Sequence, residues 1–140
     1  MKLEFSAGAV VFTHDGNTIK YALVVERSGH CGFPKGHIEP GEEEKETALR
    51  EIFEETGVHA RLIGDFYREV EYNIGARKRK HVSYFLAEFD NSESLTKASD
   101  IRSLYLLPFK AAMSRLTHEN SRAILRDAKK YIEKALTEAI

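Results

Sequence analysis

The sequence predicts an α/β fold, a mixed β-sheet packed between helices, in a single domain covering residues 1–140. Short apolar runs rich in β-branched residues alternate with two amphipathic helical stretches. An Asp15-Gly16 turn signal joins the first two runs as a hairpin. At 140 residues, with 42% hydrophobic and 31% charged residues, the chain has the size and composition of one globular domain with a real core.

In chain order, residues 7–12 are small and β-branched, as suits a strand buried on both faces, and 21–25 read as the returning strand. Residues 28–35 form a loop carrying two glycines, His30 and Phe33. Pro40-Gly41 then turns the chain into a helix. Glu42, Glu43 and Glu44 sit at its positive end, and Gly57 stands just past its last turn. At 100° per residue Ala48, Leu49, Ile52, Phe53 and Thr56 share one arc, expected to be buried.

Residues 60–72 alternate as one long strand, with Leu62, Phe66, Val70 and Tyr72 in phase. Residues 73–80 read as a polar turn ending in Arg77-Lys78-Arg79-Lys80, and 81–89 as the next strand. Residues 90–99 form a soluble loop, and 104–107 a short strand stopped by Pro108. Pro108 opens a helix to residue 116, and 120–136 form the second clear amphipathic helix.

Composition narrows the function. A formal net charge of −1 supplies no general field for nucleic acid or an anionic membrane. The single cysteine, Cys31, excludes an internal disulfide and a cysteine-built zinc site. No run approaches 18 apolar residues and the opening lacks an apolar leader core, so cytoplasmic residence is expected.

The acidic arc of the first helix carries the chemistry. Glu51, Glu54 and Glu55 lie together, and like charges so spaced repel by about 0.2–0.5 kcal/mol per pair. Lys45 and Arg50 cannot neutralise all three. Such a face is either solvated surface or a support for a hard divalent cation. The loop upstream favours the second reading. Pro34-Lys35-Gly36-His37 and Glu39-Pro40-Gly41 set a cation, a potential proton donor and close-approach glycines beside the carboxylates, a set suited to phosphoryl transfer.

Gly36, Glu42, Arg50-Glu51-Ile52, Glu54-Glu55, Gly57 and Val58 match G-x5-E-x7-R-E-U-x-E-E-x-G-U, with U aliphatic, without a gap. In this stretch of 23 residues the chain resembles the Nudix hydrolase family. The resemblance implies an α/β/α sandwich and hydrolysis of a nucleoside diphosphate linked to a further moiety. It also implies Mg²⁺ or Mn²⁺ held by Glu51, Glu54, Glu55 and the Gly36 carbonyl. Arg50 would orient a glutamate of the motif, and the general base would be Glu54 or Glu51. A distal base could rest only on Asp100, because the family's E-I-x-E-V-x-W-L-P stretch here reads Asp100-Ile101-Arg102-Ser103-Leu104-Tyr105-Leu106-Leu107-Pro108.

Within the family the chain is most similar to asymmetric diadenosine tetraphosphate hydrolases. Residues 33–41, with His30 upstream, residues 80–86 and residues 116–120 carry that likeness. It implies phosphate contacts from Lys35, His30 and Lys80, a base platform at Tyr84, and His37 as either a phosphate contact or a turn residue. His118 reads as surface. The expected partner is a small nucleotide, with no membrane or nucleic acid, in a monomer or homodimer. Diphosphoinositol polyphosphates, ADP-ribose, oxidised nucleotides and RNA 5′ ends stay open as substrates, and a non-catalytic nucleotide-binding module as a different class.

Overall fold

The computed structural model describes residues 2–138. One sheet of eight strands organises the chain. β1 (Lys2–Asp15) runs through its middle and pairs in parallel with β7 (Lys78–Glu88), from Lys2↔Lys78 to Phe12↔Glu88. The other edge of β1 is shared. Its end forms the expected hairpin with β2 (Thr18–Glu26), and Ser6–Gly8 pair instead with β4 (Lys35–His37). β3 (Cys31–Gly32) and β8 (Ile101–Pro108) pair with β2, whereas β5 (Arg61–Leu62) and β6 (Arg68–Ile74) pair antiparallel with β7.

Alternation along the central strands sends side chains into two cores. Ala9, Val11, Phe85 and Ala87 face α1 (Glu44–Thr56) and meet Ala48 and Ile52. Val10, Phe12, Val82 and Leu86 face the opposite way, toward α2 (Phe109–Arg115) and α3 (Glu119–Glu138), meeting Ala112, Leu125 and Ala128. The expected α/β/α sandwich with a mixed sheet is the observed fold.

Several local expectations need correcting. The loop at 28–35 contains the two-residue β3, and its last residue opens β4. The strand read over 60–72 is broken between β5 and β6, where Gly64 turns the chain at φ 59° and Phe66 packs into the α3-side core. Residues 73–80 are mostly paired strand. Only 75–77 turn, and an Arg79–Glu71 pair at 2.7 Å spans β7 and β6. The first helix is also rotated from the expected arc. Thr47, Ala48, Ile52 and Thr56 are buried, while Leu49 and Phe53 are 36% and 47% exposed. That rotation brings Glu51 and Glu55, next to Ile52 and Thr56 on the helix, against the sheet.

Candidate active site

Helix α1 starts on a capping box: the Glu46 side chain accepts the Glu43 N–H at 3.0 Å, and the Glu43 side chain accepts in return. It ends at Gly57, left-handed at φ 77°, whose N–H closes on the Phe53 carbonyl. Between these stops the helix presents its acidic residues to β4. A Cβ at Gly36 would fall on the Glu51 carboxylate, so the missing side chain lets that carboxylate lie on the strand.

Arg50 organises the acids on the outer side. Its guanidinium donates to Glu42 from Nε at 2.6 Å and from Nη2 at 3.0 Å, and to the His37 carbonyl at 3.1 Å. Nη1 reaches Glu51 at 3.3 Å and Glu54 at 3.1 Å. Fork geometry of this kind fixes a carboxylate in direction as well as distance. The Arg50 guanidinium, with help from the Glu39 amide, holds Glu42 down at about 2. As they stand, no three His, Cys, Asp or Glu side chains among the described residues converge on one point, since Glu51 and Glu54 are both turned to Arg50.

The inner acids are strained toward neutrality. Burial, then the Glu51 charge, pushes Glu55 up to about 8, although Glu55 accepts the Lys35 N–H at 3.3 Å. Burial and the Glu54 charge raise Glu51 as well, with a smaller contribution from Asp100. The folded protein therefore holds the Glu55 proton more tightly than the unfolded chain. In chelator, the part of the stability that comes from Glu55 should fall as pH rises from about 4.5 to about 8, by at most about 1.4 kcal/mol per pH unit, and level off above. Melting temperatures across that range should fall more steeply with pH in the parent than in Glu55→Gln, where only the Glu51 contribution is left. An unchanged slope in the variant would remove Glu55 as its source.

Glu55 also joins this cluster to a cavity of about 650 Å³ on the α3 side of the sheet. Of the residues singled out from the sequence, Lys35, His30 and Tyr84 line it. Lys80, half-buried on β7, has its ammonium pKa lowered by burial and then by the neighbouring Lys35 charge; Glu26, 4.0 Å from Lys35 Nζ, opposes that shift. His37 does not reach the cavity: it is exposed, and its Nε2 lies 3.1 Å from the Glu4 carboxylate. Tyr84 lies on the Lys80 face of β7, but it is a wall residue and not the expected base platform. Only 5% exposed, it packs edge-on to Phe33 at 5.6 Å and cannot offer a free face for stacking.

The sequence reading missed Tyr72, Glu26 and His118. Tyr72 is 39% exposed, lines the cavity and stands opposite Lys80 across β6 and β7. It was legible as an alternating strand residue, in the same phase as Val70. A bulge between Val25 and Glu26 interrupts the β2–β8 register where Glu26 meets the cavity, and bulges of this kind re-aim side chains. His118 stands in the 116–120 stretch that carries the likeness, but nothing in its local sequence distinguishes it from a surface residue before a helix.

The α/β/α sandwich, with the Arg50-organised acids of α1 set against Gly36, defines a Nudix fold. The chain belongs to that family: the NUDIX domain model matches residues 2–128. It is 46% identical over 79 residues to a bis(5′-nucleosyl)-tetraphosphatase (asymmetrical) of Mus musculus, covering 53% of this chain and 53% of that protein. A putative mutator protein MutT4 of Mycobacterium tuberculosis is 31% identical over 141 residues, 94% of this chain and 56% of its own. The chain thus spans about half the length of these curated relatives. In fold it is similar to the Caenorhabditis elegans Ap4A hydrolase binary complex, with a TM-score of 0.87 and 22% identity over 94% of this chain and 98% of that one.

Proposed function

We propose that this chain is a pyrophosphohydrolase that cleaves dinucleoside polyphosphates asymmetrically, taking diadenosine tetraphosphate to ATP and AMP. One observation carries the reading. A single cavity joins the acidic cluster, through Glu55, to Lys35 and to an exposed aromatic ring, Tyr72, standing opposite Lys80. A cation and an aromatic face within one cleft, with a second cation, Lys80, on the strand beside it, suit a ligand with an anionic bridge and a base, and base stacking contributes about 1–3 kcal/mol. Similarity to the asymmetrical tetraphosphatases supports the same choice.

The donor set fits a hard divalent cation, Mg²⁺ or Mn²⁺. Glu51 and Glu55 are enclosed carboxyls that hold protons too tightly, and a cation beside them would offset that repulsion. Glu51, Glu54, Glu55 and the Gly36 carbonyl would hold it. When bound, the ion neutralises phosphate oxygens and acidifies a water. The protein's own groups do the rest. Lys35 and Lys80 grip the bridge, Arg50 keeps the acids aimed, and Glu54, 53% exposed, takes the proton from the attacking water.

The substrate is a small molecule. Among the described residues no helix is long and apolar enough to cross a membrane. Chromatography of products from diadenosine tetraphosphate with Mg²⁺ is expected to show ATP and AMP in equal amounts. Two ADP molecules, or faster cleavage of a diphosphoinositol polyphosphate, would overturn the substrate and leave the chemistry. Binding of the dinucleotide without hydrolysis in either metal would instead make the chain a nucleotide-binding module.

A further inference from the structure

We infer that Thr117, in the short connection between α2 and α3, is a positioning residue of the cavity, pinning its α3 wall to β3 and thereby setting how tightly a long ligand binds. The inference rests on the cavity being the substrate site proposed above.

β3 pairs with β2 on one edge, through Val25↔Cys31 and Val24↔Gly32. Thr117 makes two bonds to Cys31. The Cys31 N–H donates to Thr117 Oγ1 at 2.8 Å, and the Thr117 N–H donates to the Cys31 carbonyl at 3.1 Å. Reciprocal bonds of this kind are those of a one-residue antiparallel bridge, with a side chain substituting for one carbonyl. The connection is anchored on its own side as well. Leu116 is 3% exposed, and its carbonyl accepts Arg122 Nη1 at 2.7 Å.

The neighbours of the two bonded residues are what the pin positions. His30 precedes Cys31 and His118 follows Thr117, and their rings meet edge to face at 4.9 Å and 89°. Both rings line the cavity, and Asn120 and Ser121 of the first turn of α3 line it beside them. The acids on α1 lie outside this linkage, held by Arg50 and β4. Loosening the pin should therefore affect ligand grip and spare the chemical step. Threonine is also the residue whose hydroxyl a methyl can replace with little change of shape, and that substitution leaves the part-buried Cys31 N–H without its acceptor.

The test compares Thr117→Val with Thr117→Ser in the full chain. With diadenosine tetraphosphate, Thr117→Val is expected to raise KM by about three- to tenfold, the range for one lost hydrogen bond, with kcat within about twofold. Thr117→Ser, which keeps the hydroxyl, should restore the parent KM. In a second arm without substrate, the His30 and His118 imidazole resonances should shift in Thr117→Val and return in Thr117→Ser. An unchanged KM, a kcat that falls in step, or serine behaving like valine would overturn the proposal. If the parent does not cleave the dinucleotide, the proposed function fails alone. The imidazole resonances then decide the pin: movement only in the valine variant supports it, and no movement overturns it.

Discussion

Glu54→Gln is expected to lower turnover by about 10²–10⁴-fold while leaving the melting temperature in chelator nearly unchanged. Two small effects oppose each other in the metal-free protein. The substitution removes one like charge from the acidic arc, worth about 0.2–0.5 kcal/mol. It also removes the i,i+4 partner of Arg50 at 3.1 Å, worth a similar amount because Glu54 is 53% exposed and screened. Arg50 does not lose its place, since Glu42 and the His37 carbonyl still hold it. Turnover has no such compensation, because an amide can neither take a proton from water nor ligate a cation as a carboxylate does. A large fall in melting temperature in chelator, with activity lost only in proportion to unfolding, would make Glu54 a structural residue and remove it from the mechanism.

What the sequence revealed followed from local periodicity. Residues Glu51, Glu54 and Glu55 lie on one helix, so spacing alone groups them, and Lys35 and Gly36 are near enough in the chain to be read with them. The cavity could not be read this way. Its walls come from β2, β3, the β6–β7 hairpin and the start of α3, which are brought together by the parallel pairing of β1 with β7 and by packing across the sheet. Period-two alternation along β7 puts Lys80 and Tyr84 on one face, yet it carries no depth: Tyr84 is buried edge-on to Phe33, and the exposed ring belongs to Tyr72 on the neighbouring strand. The rotation of α1 was hidden for a related reason. Hydrophobicity favours burying Leu49 and Phe53, but the observed packing turns Glu51 and Glu55 inward and leaves those two partly exposed, with the Phe53 ring tilted against His59 at 4.6 Å. A helix whose apolar arc is displaced by carboxylates shows local preference yielding to a site. The basic run at 77–80 misled by its polarity. Its Lys78 and Arg79 are strand residues paired to Glu4 and Glu71, which a search for hydrophobic strands does not find.

Gly36→Ala is expected to lower kcat/KM by about 10²-fold or more with the fold intact, and Gly8→Ala to do the reverse, damaging the fold first. Both glycines lie at the contact of β1 with β4, but an added Cβ meets different atoms. At Gly36 it would fall on the Glu51 carboxylate, the far end of a side chain that can swing away. Displacement would carry Glu51 from the position where burial and the Glu54 charge already disfavour its ionised form, so the metal-free protein loses little. It would also take a carboxylate off the strand whose carbonyl is proposed to share the ion. At Gly8 the Cβ would meet the Pro34 carbonyl and the Lys35 backbone, and Ala9 N–H donates to that same carbonyl at 3.2 Å. Only a shift of β4 relieves that clash, which should cost about 1–3 kcal/mol, the range for an overpacked site. The two variants should therefore separate in a pair of measurements. Melting in chelator falls for Gly8→Ala and stays near the parent for Gly36→Ala, while Mg²⁺ titration followed by melting temperature shows stabilisation in Gly8→Ala and little in Gly36→Ala. If Gly36→Ala turns over at the parent rate with its Mg²⁺ response intact, the Glu51 carboxylate has no function in the place where Gly36 lets it lie.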